Sequence, residues 1–236
     1  SEVNNVKEMA QNCSVIFLCV TGSPQVEAVV LGTDGILANA KPGTVIIDCS
    51  TSDPVSTGKL DAAARAVGMH LVDAPLGGTP KEAATGNLSA MVGADDAVFE
   101  RVQPIIAAWA ANISHLGKVG LGHTMKLVNN FLSMGYAALY SEALVLARKA
   151  GLTVEQFHGV IGSGRMRCGF YDTFTKWSVE GDPNAHLFTI SNAHKDMRYA
   201  SNLANDLGVS APLQSLVRAN YASMDAVGQG QKMVPM

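Results

Sequence analysis

Short apolar runs alternate with stretches of helical periodicity over the first half of the chain. Runs of strand length occupy residues 14–20, 44–48, 70–74, 88–92 and 112–116. Helical patterns lie between them, at residues 6–11, 24–30, 54–67 and 95–110. Strands that alternate with helices predict crossover connections, and therefore an α/β fold with a mainly parallel sheet.

The second half of the chain has a different pattern. From residue 123 to about residue 227 it is helical, with breaks at residues 151, 162–169, 181–183 and 208–212. The first helix, predicted over residues 123–150, would be about 40 Å long at 1.5 Å per residue. A helix of that length usually spans an interface between domains or subunits. We therefore predict an α/β domain over residues 1–121 and an all-helical domain over residues 122–236.

Composition narrows the possible functions. With 236 residues, of which 47% are hydrophobic, the chain can bury one or two cores. Its net charge of −3, without a basic stripe, argues against a nucleic-acid partner. The four cysteines are far apart and have no partners at metal-ligand spacing, which favours a cytoplasmic location and argues against a metal site. The charge-free part of the long helix, residues 127–141, is too short for a membrane span of about 20 residues.

A polar stripe runs along the first turns of the predicted long helix, which is otherwise rich in alanine and leucine. Lys126, Asn130 and Ser133 share one face at helical spacing, and Asn129 lies beside them. One interpretation is a solvated helix end, since lysines near helix termini are mostly surface residues. The other is a functional site, because the flanking faces are apolar and a Gly-x-Gly precedes the helix. Such glycines are expected where the backbone approaches another group closely.

Two loops at predicted strand ends carry polar groups. The segment IIDCSTSDP, residues 46–54, places Ser50 and Thr51 directly after a buried strand. They are either simple caps or donors to a ligand, which open α/β sheets bind at the carboxyl ends of their strands. The segment DAPLGGTPKEAATGNL, residues 73–88, contains paired glycines and a short helix capped by Thr79. The free amides at the start of that helix suit an anion.

A fourth segment, LFTISNAHKDMRYA at residues 187–200, places Lys195 and Asp196 on an amphipathic helix. Taken alone, it indicates a surface ion pair of little energetic consequence. The order and spacing of all four segments are more informative. DCST, DAPLGG, GLGHTMKLVNN and AHKDM follow one another as in the β-hydroxyacid dehydrogenase family, which the chain resembles from residue 14 to about residue 231.

The resemblance implies an N-terminal Rossmann domain that binds NAD or NADP, a long helix, and a helical domain that forms a homodimer or homotetramer. It implies an oxidoreductase that interconverts a short 3-hydroxy acid and its semialdehyde, both of them small anions. Family members begin with a strand, a G-x-G-x-x-G turn and a helix, and we expect about 60 upstream residues to supply this unit. The choice between NAD and NADP depends on that unit.

By the same resemblance, Lys126 is the catalytic acid/base, and Asn130 holds the substrate or orients Lys126. An ammonium beside a carbonyl polarises it and supplies the proton that accompanies hydride transfer. The residues implied to contact the substrate are Ser50, Thr51, Gly77, Gly78, Thr79 and Asn129. The residues implied to contact the cofactor are Leu18, Cys19, Val20, Thr51, Phe188, Lys195 and Asp196.

The third segment departs from the family pattern. Its sequence at residues 75–79 is Pro-Leu-Gly-Gly-Thr, where relatives commonly have Pro-Val-Ser-Gly-Gly, so Gly77 stands in place of a serine. The change alters the predicted anion pocket, and with it the expected substrate. A second departure lies at the end of the first strand, where Val20-Thr21 replaces the usual Leu-Pro.

Two alternative functions share this fold. An imine reductase usually carries Asp or Tyr where this chain has Lys126. A non-catalytic reader or scaffold protein tends to lose the lysine as well. The presence of Lys126 therefore favours the hydroxyacid dehydrogenase over both.

Overall fold

The structure is a computed structural model that describes residues 5–236. It divides into two compact units, the first ending at Leu127 and the second running from Val128 to Met236. The predicted fold class, an α/β region followed by a long helix and a helical region, is confirmed. Within the described residues, none of the helices combines the length and the apolar character needed to cross a membrane.

The first unit contains two small sheets. One is parallel throughout and consists, in spatial order, of β1 (Val15–Leu18), β2 (Val45–Asp48) and β3 (His70–Asp73). The other consists, in spatial order, of β4 (Leu76–Gly77), β5 (Leu88–Val92) and β6 (Ala110–His115). β5 and β6 are parallel, whereas β4 runs antiparallel to β5. An antiparallel bridge between Asp73 and Gly93 connects the two sheets.

Helices fill the connections between these strands. They are α1 (Val6–Asn12), α2 (Ser23–Leu31), α3 (Ile36–Asn39), α4 (Pro54–Ala66), α5 (Pro80–Ala84) and α6 (Asp96–Ile106). The predicted strands and helices of the first half are all present. β4 and α3 were not predicted, because two and four residues are too few to show a period of their own.

One boundary differs from its prediction by several residues. α6 ends at Ile106 rather than at residue 110, and β6 begins at Ala110 rather than at residue 112. Ala110 is buried and pairs with Leu88 of β5, so the chain has to leave the helix before it reaches the sheet. A turn at residues 107–109 makes that change of direction.

The core of the first unit lies on both faces of the parallel sheet. Val45 and Ile47 of β2 belong to one apolar cluster, and Ile46 between them belongs to the other. This is the period of two expected for a strand. Because helices cover both faces, β2 is apolar at each of these positions, which explains its uninterrupted hydrophobic run.

The second unit is helical. Its elements are the greater part of α7 (Leu121–Lys149), then α8 (Val154–Ser163), α9 (Gly169–Phe174), α10 (Lys176–Glu180), α11 (Ile190–Asp206) and α12 (Pro212–Met224), followed by an irregular turn (Asp225–Gln229). The breaks predicted near residues 151, 162–169 and 208–212 are present. The break predicted at 181–183 extends to residue 189, and a further break separates α9 from α10 at Thr175. Gly151 and Gly208, with φ of 98° and 64°, end α7 and α11 in the left-handed conformation that favours glycine.

Candidate active site

The start of α7 is held by a carboxylate from β3. Asp73, at the end of β3, accepts hydrogen bonds from the backbone N–H groups of Gly120 and His123, each at 2.7 Å, and is fully buried. The first amides of a helix have no intrahelical partner, and a negative charge at this end is favourable. Asp73 therefore fixes the first turn of α7, the turn that leads to Lys126, to the edge of the sheet.

The Gly-x-Gly before Lys126 has a structural explanation. A Cβ on Gly122 would lie 2.3 Å from the carbonyl oxygen of Met91. Gly93, which lies outside this motif, is restricted in the same way, because its Cβ would lie 2.4 Å from the Asp73 carboxylate. Gly120 has a φ of 95°. The close backbone approach predicted from the glycines is confirmed, and at Gly122 the group approached belongs to the protein itself.

Lys126 is half-buried rather than extended into solvent. Its ammonium donates a hydrogen bond of 2.6 Å to the carbonyl oxygen of Leu76 in β4. Of the two interpretations of the polar stripe, this geometry does not fit a simple solvated helix end. The contact holds the lysine head beside Gly77, the residue that follows Leu76.

The loop after β2 is built around Asp48. One oxygen of its carboxylate accepts the Ser50 N–H at 2.8 Å, and the other accepts the Ser52 hydroxyl at 2.9 Å. The Ser50 hydroxyl in turn accepts the Val20 N–H at 2.9 Å and thereby joins the ends of β1 and β2. Ser50 is buried and engaged in the fold, whereas Thr51 is half-buried. Of the two, Thr51 is the better placed to meet a ligand.

The ends of β1 and β2 lie side by side. Cys49 donates its N–H to the carbonyl oxygen of Leu18 at 2.8 Å, which continues the sheet one residue beyond the strands. Leu18 is buried, Val20 is half-buried, and Cys19 is exposed. Burial raises the pKa of the Cys49 thiol well above its usual range, so Cys49 remains protonated.

His123 links the two regions just described. Its Nδ1 lies 2.7 Å from the Thr57 hydroxyl on α4, and its Nε2 lies 3.1 Å from the Ser50 carbonyl oxygen. The ring also lies between two carboxylates, with Nε2 3.7 Å from Asp48 and Nδ1 3.9 Å from Asp73. The side chain has no exposed surface.

Sequence reasoning missed Asp48, Asp73 and His123. A signal for them was present: each aspartate ends a buried strand, and the histidine begins an apolar helix. Buried polar groups need partners, so three such groups near predicted loops indicate a common network. Burial raises the pKa of Asp73, although His123 and the amides of Gly120 and His123 act in the opposite direction.

The glycine loop differs from the anion pocket that the sequence suggested. Gly77 pairs with Ser89 in the sheet, and Gly78 has a φ of 117°. Thr79 caps α5 as predicted, but its N–H donates to the Glu82 carboxylate at 2.8 Å, and its hydroxyl contacts the same carboxylate. These bonds lower the pKa of Glu82, the Thr79 hydroxyl having the largest effect. The donors of Thr79 are therefore engaged within the protein.

The second unit groups the remaining predicted residues around a buried carboxylate. Asp196 is almost fully buried and accepts a hydrogen bond of 2.7 Å from the Asn130 side-chain nitrogen. Lys195 forms an ion pair with the other oxygen of Asp196 at 3.3 Å. Asn130 is itself buried, and the exposed Asn129 lies 3.4 Å from its side-chain oxygen. A simple surface ion pair does not describe this cluster.

Phe188 lies just before α11, the helix that carries Lys195 and Asp196. It is half-buried, and its carbonyl oxygen accepts the Val234 N–H at 2.9 Å. The carbonyls of Gly230 and Lys232 accept the N–H groups of Ser191 and Ile190 at the start of α11. The last residues of the chain thus cap the helix. Across the described residues, no cluster of three or more His, Cys, Asp or Glu side chains could hold a metal ion.

Two protein families match the chain in sequence. Residues 1–117 match the NAD binding domain of 6-phosphogluconate dehydrogenase. Residues 120–234 match the family described as NAD-binding of NADP-dependent 3-hydroxyisobutyrate dehydrogenase.

Individual relatives span almost the whole chain. The 2-(hydroxymethyl)glutarate dehydrogenase of Eubacterium barkeri is 34% identical over 229 residues, which are 97% of this chain and 76% of that protein. The 3-sulfolactaldehyde reductase of Escherichia coli (strain K12) is 30% identical over 228 residues, again 97% and 76% of the two chains.

Solved structures agree with the fold. The 3-hydroxyisobutyrate dehydrogenase of Mycobacterium tuberculosis, solved with L-serine, has a TM-score of 0.86 and 27% identity over 99% of this chain and 81% of that one. An imine reductase from Myxococcus stipitatus has a TM-score of 0.59 at 14% identity, covers 99% of this chain and 82% of its own, and shows a likeness of fold alone.

Proposed function

The chain belongs to the β-hydroxyacid dehydrogenase family, and we propose that it interconverts a short 3-hydroxy acid and its semialdehyde, with Lys126 as the acid/base. That it is an NAD(P)-dependent enzyme of the hydroxyacid dehydrogenase type follows from its family. The observation that carries the finer proposal is the position of Lys126, half-buried on a helix and anchored at 2.6 Å to Leu76. A lysine on a rigid helix is held more accurately than one on a loop.

The carboxyl ends of β1 and β2 fit the nicotinamide cofactor. Ligands of open parallel sheets bind at this edge, and here the exposed Cys19 and the half-buried Val20 and Thr51 are free of the sheet's own pairing. We propose that these residues and Leu18 hold the cofactor. The cofactor contacts of Phe188, Lys195 and Asp196 in the second unit stay predictions from the family resemblance. When bound, the cofactor donates or accepts the hydride.

Lys126 would handle the proton that accompanies the hydride. In the reductive direction the substrate carbonyl carbon gains a hydride, and its oxygen takes a proton from the Lys126 ammonium. In the oxidative direction the neutral amine removes the hydroxyl proton as the hydride leaves the carbon. A positioned acid/base of this kind typically contributes a factor of about 10² to 10⁴ in rate.

Asn130 would act as a hydrogen-bond acceptor. Its side-chain nitrogen donates to Asp196 at 2.7 Å, which sets the orientation of the amide. Its oxygen accepts from the Asn129 side-chain nitrogen at 3.4 Å and has a second lone pair for a ligand. An amide oxygen accepts from a hydroxyl or an ammonium and cannot bind a carboxylate. We therefore propose that Asn130 accepts a hydrogen bond from the reacting hydroxyl. Its alternative role, the orientation of Lys126 one helical turn earlier in the sequence, stays a prediction.

The substrate anion would lie at Gly77 and Gly78. Thr79 was predicted as a third donor. Because its N–H donates to Glu82, we leave it out of the proposed anion site. The Glu82 carboxylate is bound at Thr79, the residue after Gly78, and places a negative charge there. This charge disfavours a second anionic group of the substrate on that side. Asn129, exposed on α7, remains a proposed contact to the substrate. Relatives act on hydroxy acids as different as 2-(hydroxymethyl)glutarate and L-threonate, so the acid itself needs measurement.

The test is oxidation of NADH and NADPH by the purified full-length protein with a panel of aldehydes. The panel contains methylmalonate semialdehyde, tartronate semialdehyde, 2-formylglutarate and 3-sulfolactaldehyde, and a cyclic imine serves as the comparison. We expect turnover with at least one anionic semialdehyde and none with the imine. Turnover of the imine alone would favour the imine reductase, and no turnover of any compound would favour a non-catalytic protein.

An exposed apolar face in the second unit supports a homo-oligomer. Leu132 and Leu139 of α7 and Leu213 and Leu216 of α12 are each at least 52% exposed and line a groove of about 400 Å³. Apolar patches of this kind on a protein surface usually mark an interface. We propose that a second copy of the chain covers the groove. Light scattering should give a dimer or tetramer, and Leu139→Glu should reduce its mass to that of a monomer.

A further inference from the structure

The buried imidazole of His123 has a hydrogen-bonding partner on each of two other elements. Nε2 faces the Ser50 carbonyl oxygen at 3.1 Å, and because a carbonyl only accepts, this nitrogen carries a proton. Nδ1 faces the Thr57 hydroxyl at 2.7 Å. Thr57 lies on α4 and Ser50 in the loop after β2, whereas His123 itself lies in the first turn of α7. One side chain therefore ties three elements together.

The two carboxylates beside the ring each hold one of these parts. Asp48 binds the Ser50 N–H and the Ser52 hydroxyl, and so shapes the loop. Asp73 binds the Gly120 and His123 N–H groups, and so holds the start of α7. The ring lies between them at 3.7 Å and 3.9 Å. Its position therefore fixes the distance between the Ser50–Thr51 loop and the first turn of α7.

We propose that His123 is a positioning residue of the reaction, which sets the place of Lys126 relative to the Ser50–Thr51 loop. The inference rests on the proposed function. His123 precedes Lys126 by three residues on the same helix, a rise of about 4.5 Å. If this turn is displaced, the Lys126 ammonium moves with it. A misplacement of about 1 Å can lower a rate about 10²-fold.

A purely structural role for His123 gives a different expectation. The ring would then stabilise the first unit, and its loss would lower the melting temperature without changing the turnover of the protein that remains folded. A positioning role lowers kcat in folded protein and leaves KM for the aldehyde nearly unchanged, because the displaced group acts in the transition state. The two roles are therefore separated by kinetics measured well below the melting temperature.

The decisive variant is Thr57→Val, which keeps the shape of the side chain and removes the hydroxyl. That hydroxyl faces Nδ1 and also donates to the Asp53 carbonyl oxygen at 3.1 Å. Thr57→Ser keeps the hydroxyl and tests for rescue. Thr124→Val is the matched control. The Thr124 hydroxyl lies in the same turn of α7 as His123 and donates to the Gly120 carbonyl oxygen at 2.8 Å, and it does not contact the ring. His123→Leu removes both ring contacts, and Thr57→Val decides the question if His123→Leu does not fold.

Turnover is measured with the panel semialdehyde that the wild-type protein reduces fastest. We expect Thr57→Val to lower kcat at least about tenfold with KM within about threefold of wild type, and His123→Leu to lower it further. Thr57→Ser and Thr124→Val should stay within about twofold of wild type. Wild-type kcat in Thr57→Val, or an equal loss in Thr124→Val, overturns the inference while the function stands. A wild-type protein that reduces no semialdehyde overturns the proposed function, and the inference with it.

Discussion

The Nζ atom of Lys126 lies 2.6 Å from the carbonyl oxygen of Leu76, a residue fifty positions earlier in the chain. The contact joins α7 to β4, and both ends of it are fixed independently. Asp73 holds the first turn of α7, and Leu76 pairs with Ala90 in the sheet. The amine that we assign to proton transfer is thus held next to the glycines that we assign to the substrate anion.

Gly77→Ser should change the choice of substrate at little cost in stability. The backbone of Gly77 is not left-handed, and a Cβ there would meet Ser89 and Met91 at ordinary distances of 3.4 Å and 3.8 Å. The added hydroxyl gives a charge-assisted hydrogen bond worth about 1.5–3 kcal/mol to a small carboxylate. We expect the ratio of kcat/KM for methylmalonate semialdehyde over 3-sulfolactaldehyde to rise about tenfold.

Gly78→Ser is the control for this change. Gly78 has a φ of 117°, and a Cβ there would lie 3.0 Å from Leu88, so this variant should lose stability. If Gly77→Ser depresses kcat/KM equally for carboxylate and sulfonate substrates, the anion does not lie at Gly77.

Gly122→Ala should destabilise the first unit strongly. Its Cβ would lie 2.3 Å from the Met91 carbonyl oxygen and 2.8 Å from the Asp73 carboxylate, neither of which can move without disturbing the sheet or the start of α7. We expect the free energy of unfolding in urea to fall by about 3 kcal/mol or more. Gly58→Ala, in α4 with open space around it, should be neutral or stabilising by about 0.5–1 kcal/mol. Equal effects of the two substitutions would contradict the packing described for Gly122.

The pKa of Glu82 should be visible at the Thr79 amide. The Thr79 hydroxyl and N–H hydrogen-bond the carboxylate and lower its pKa, so the cap of α5 persists below the ordinary glutamate pKa of about 4.3 and is lost as the pH falls through the lowered value. The ¹H–¹⁵N NMR signal of Thr79 should titrate with a midpoint below that of a free glutamate. Thr79→Val should move the midpoint of Glu82 upward. A midpoint at or above the ordinary value would show that the capping box does not form.

His186 should make the second unit sensitive to acid. It is packed edge-on against Phe170 and Phe174, and burial lowers its pKa, so the folded state holds it neutral. The unfolded chain binds a proton below about pH 6.5, and stability therefore falls as the pH drops from that value toward the lowered pKa. His186→Phe should lose less stability between pH 7.5 and 5.5 than wild type. An equal loss in the free energy of urea unfolding between these two pH values, in His186→Phe and in wild type, would contradict this.

Local signals explain which parts of the fold were predictable. α4 begins at Pro54 as predicted because Asp53 caps it and Pro54 suits a first helical position. β2 was predicted because its three consecutive apolar residues, Val45, Ile46 and Ile47, form an uninterrupted run of the kind typical of a parallel sheet. β4, with two residues, is defined by its pairing with β5, and a pairing partner cannot be read from so short a segment.

The candidate site was predictable only in part. Lys126, Asn130 and Asp196 were found because their motifs resemble those of a family, whereas Asp73 and His123 depend on partners 47 to 73 positions away. Sequence spacing carries no direct record of such contacts. For Thr79 the local signal was available: Glu82 follows three positions later, the spacing of a capping box, and it indicates that the threonine is occupied.

The most direct test of the account is the turnover of Lys126→Ala, compared with Lys118→Ala, an exposed lysine just before α7. Both should melt at nearly the wild-type temperature. With the best panel semialdehyde, we expect kcat of Lys126→Ala to fall at least about 10²-fold, while Lys118→Ala retains wild-type kcat. Wild-type turnover in Lys126→Ala would contradict the assignment of Lys126 as the acid/base, and with it the central claim about this site.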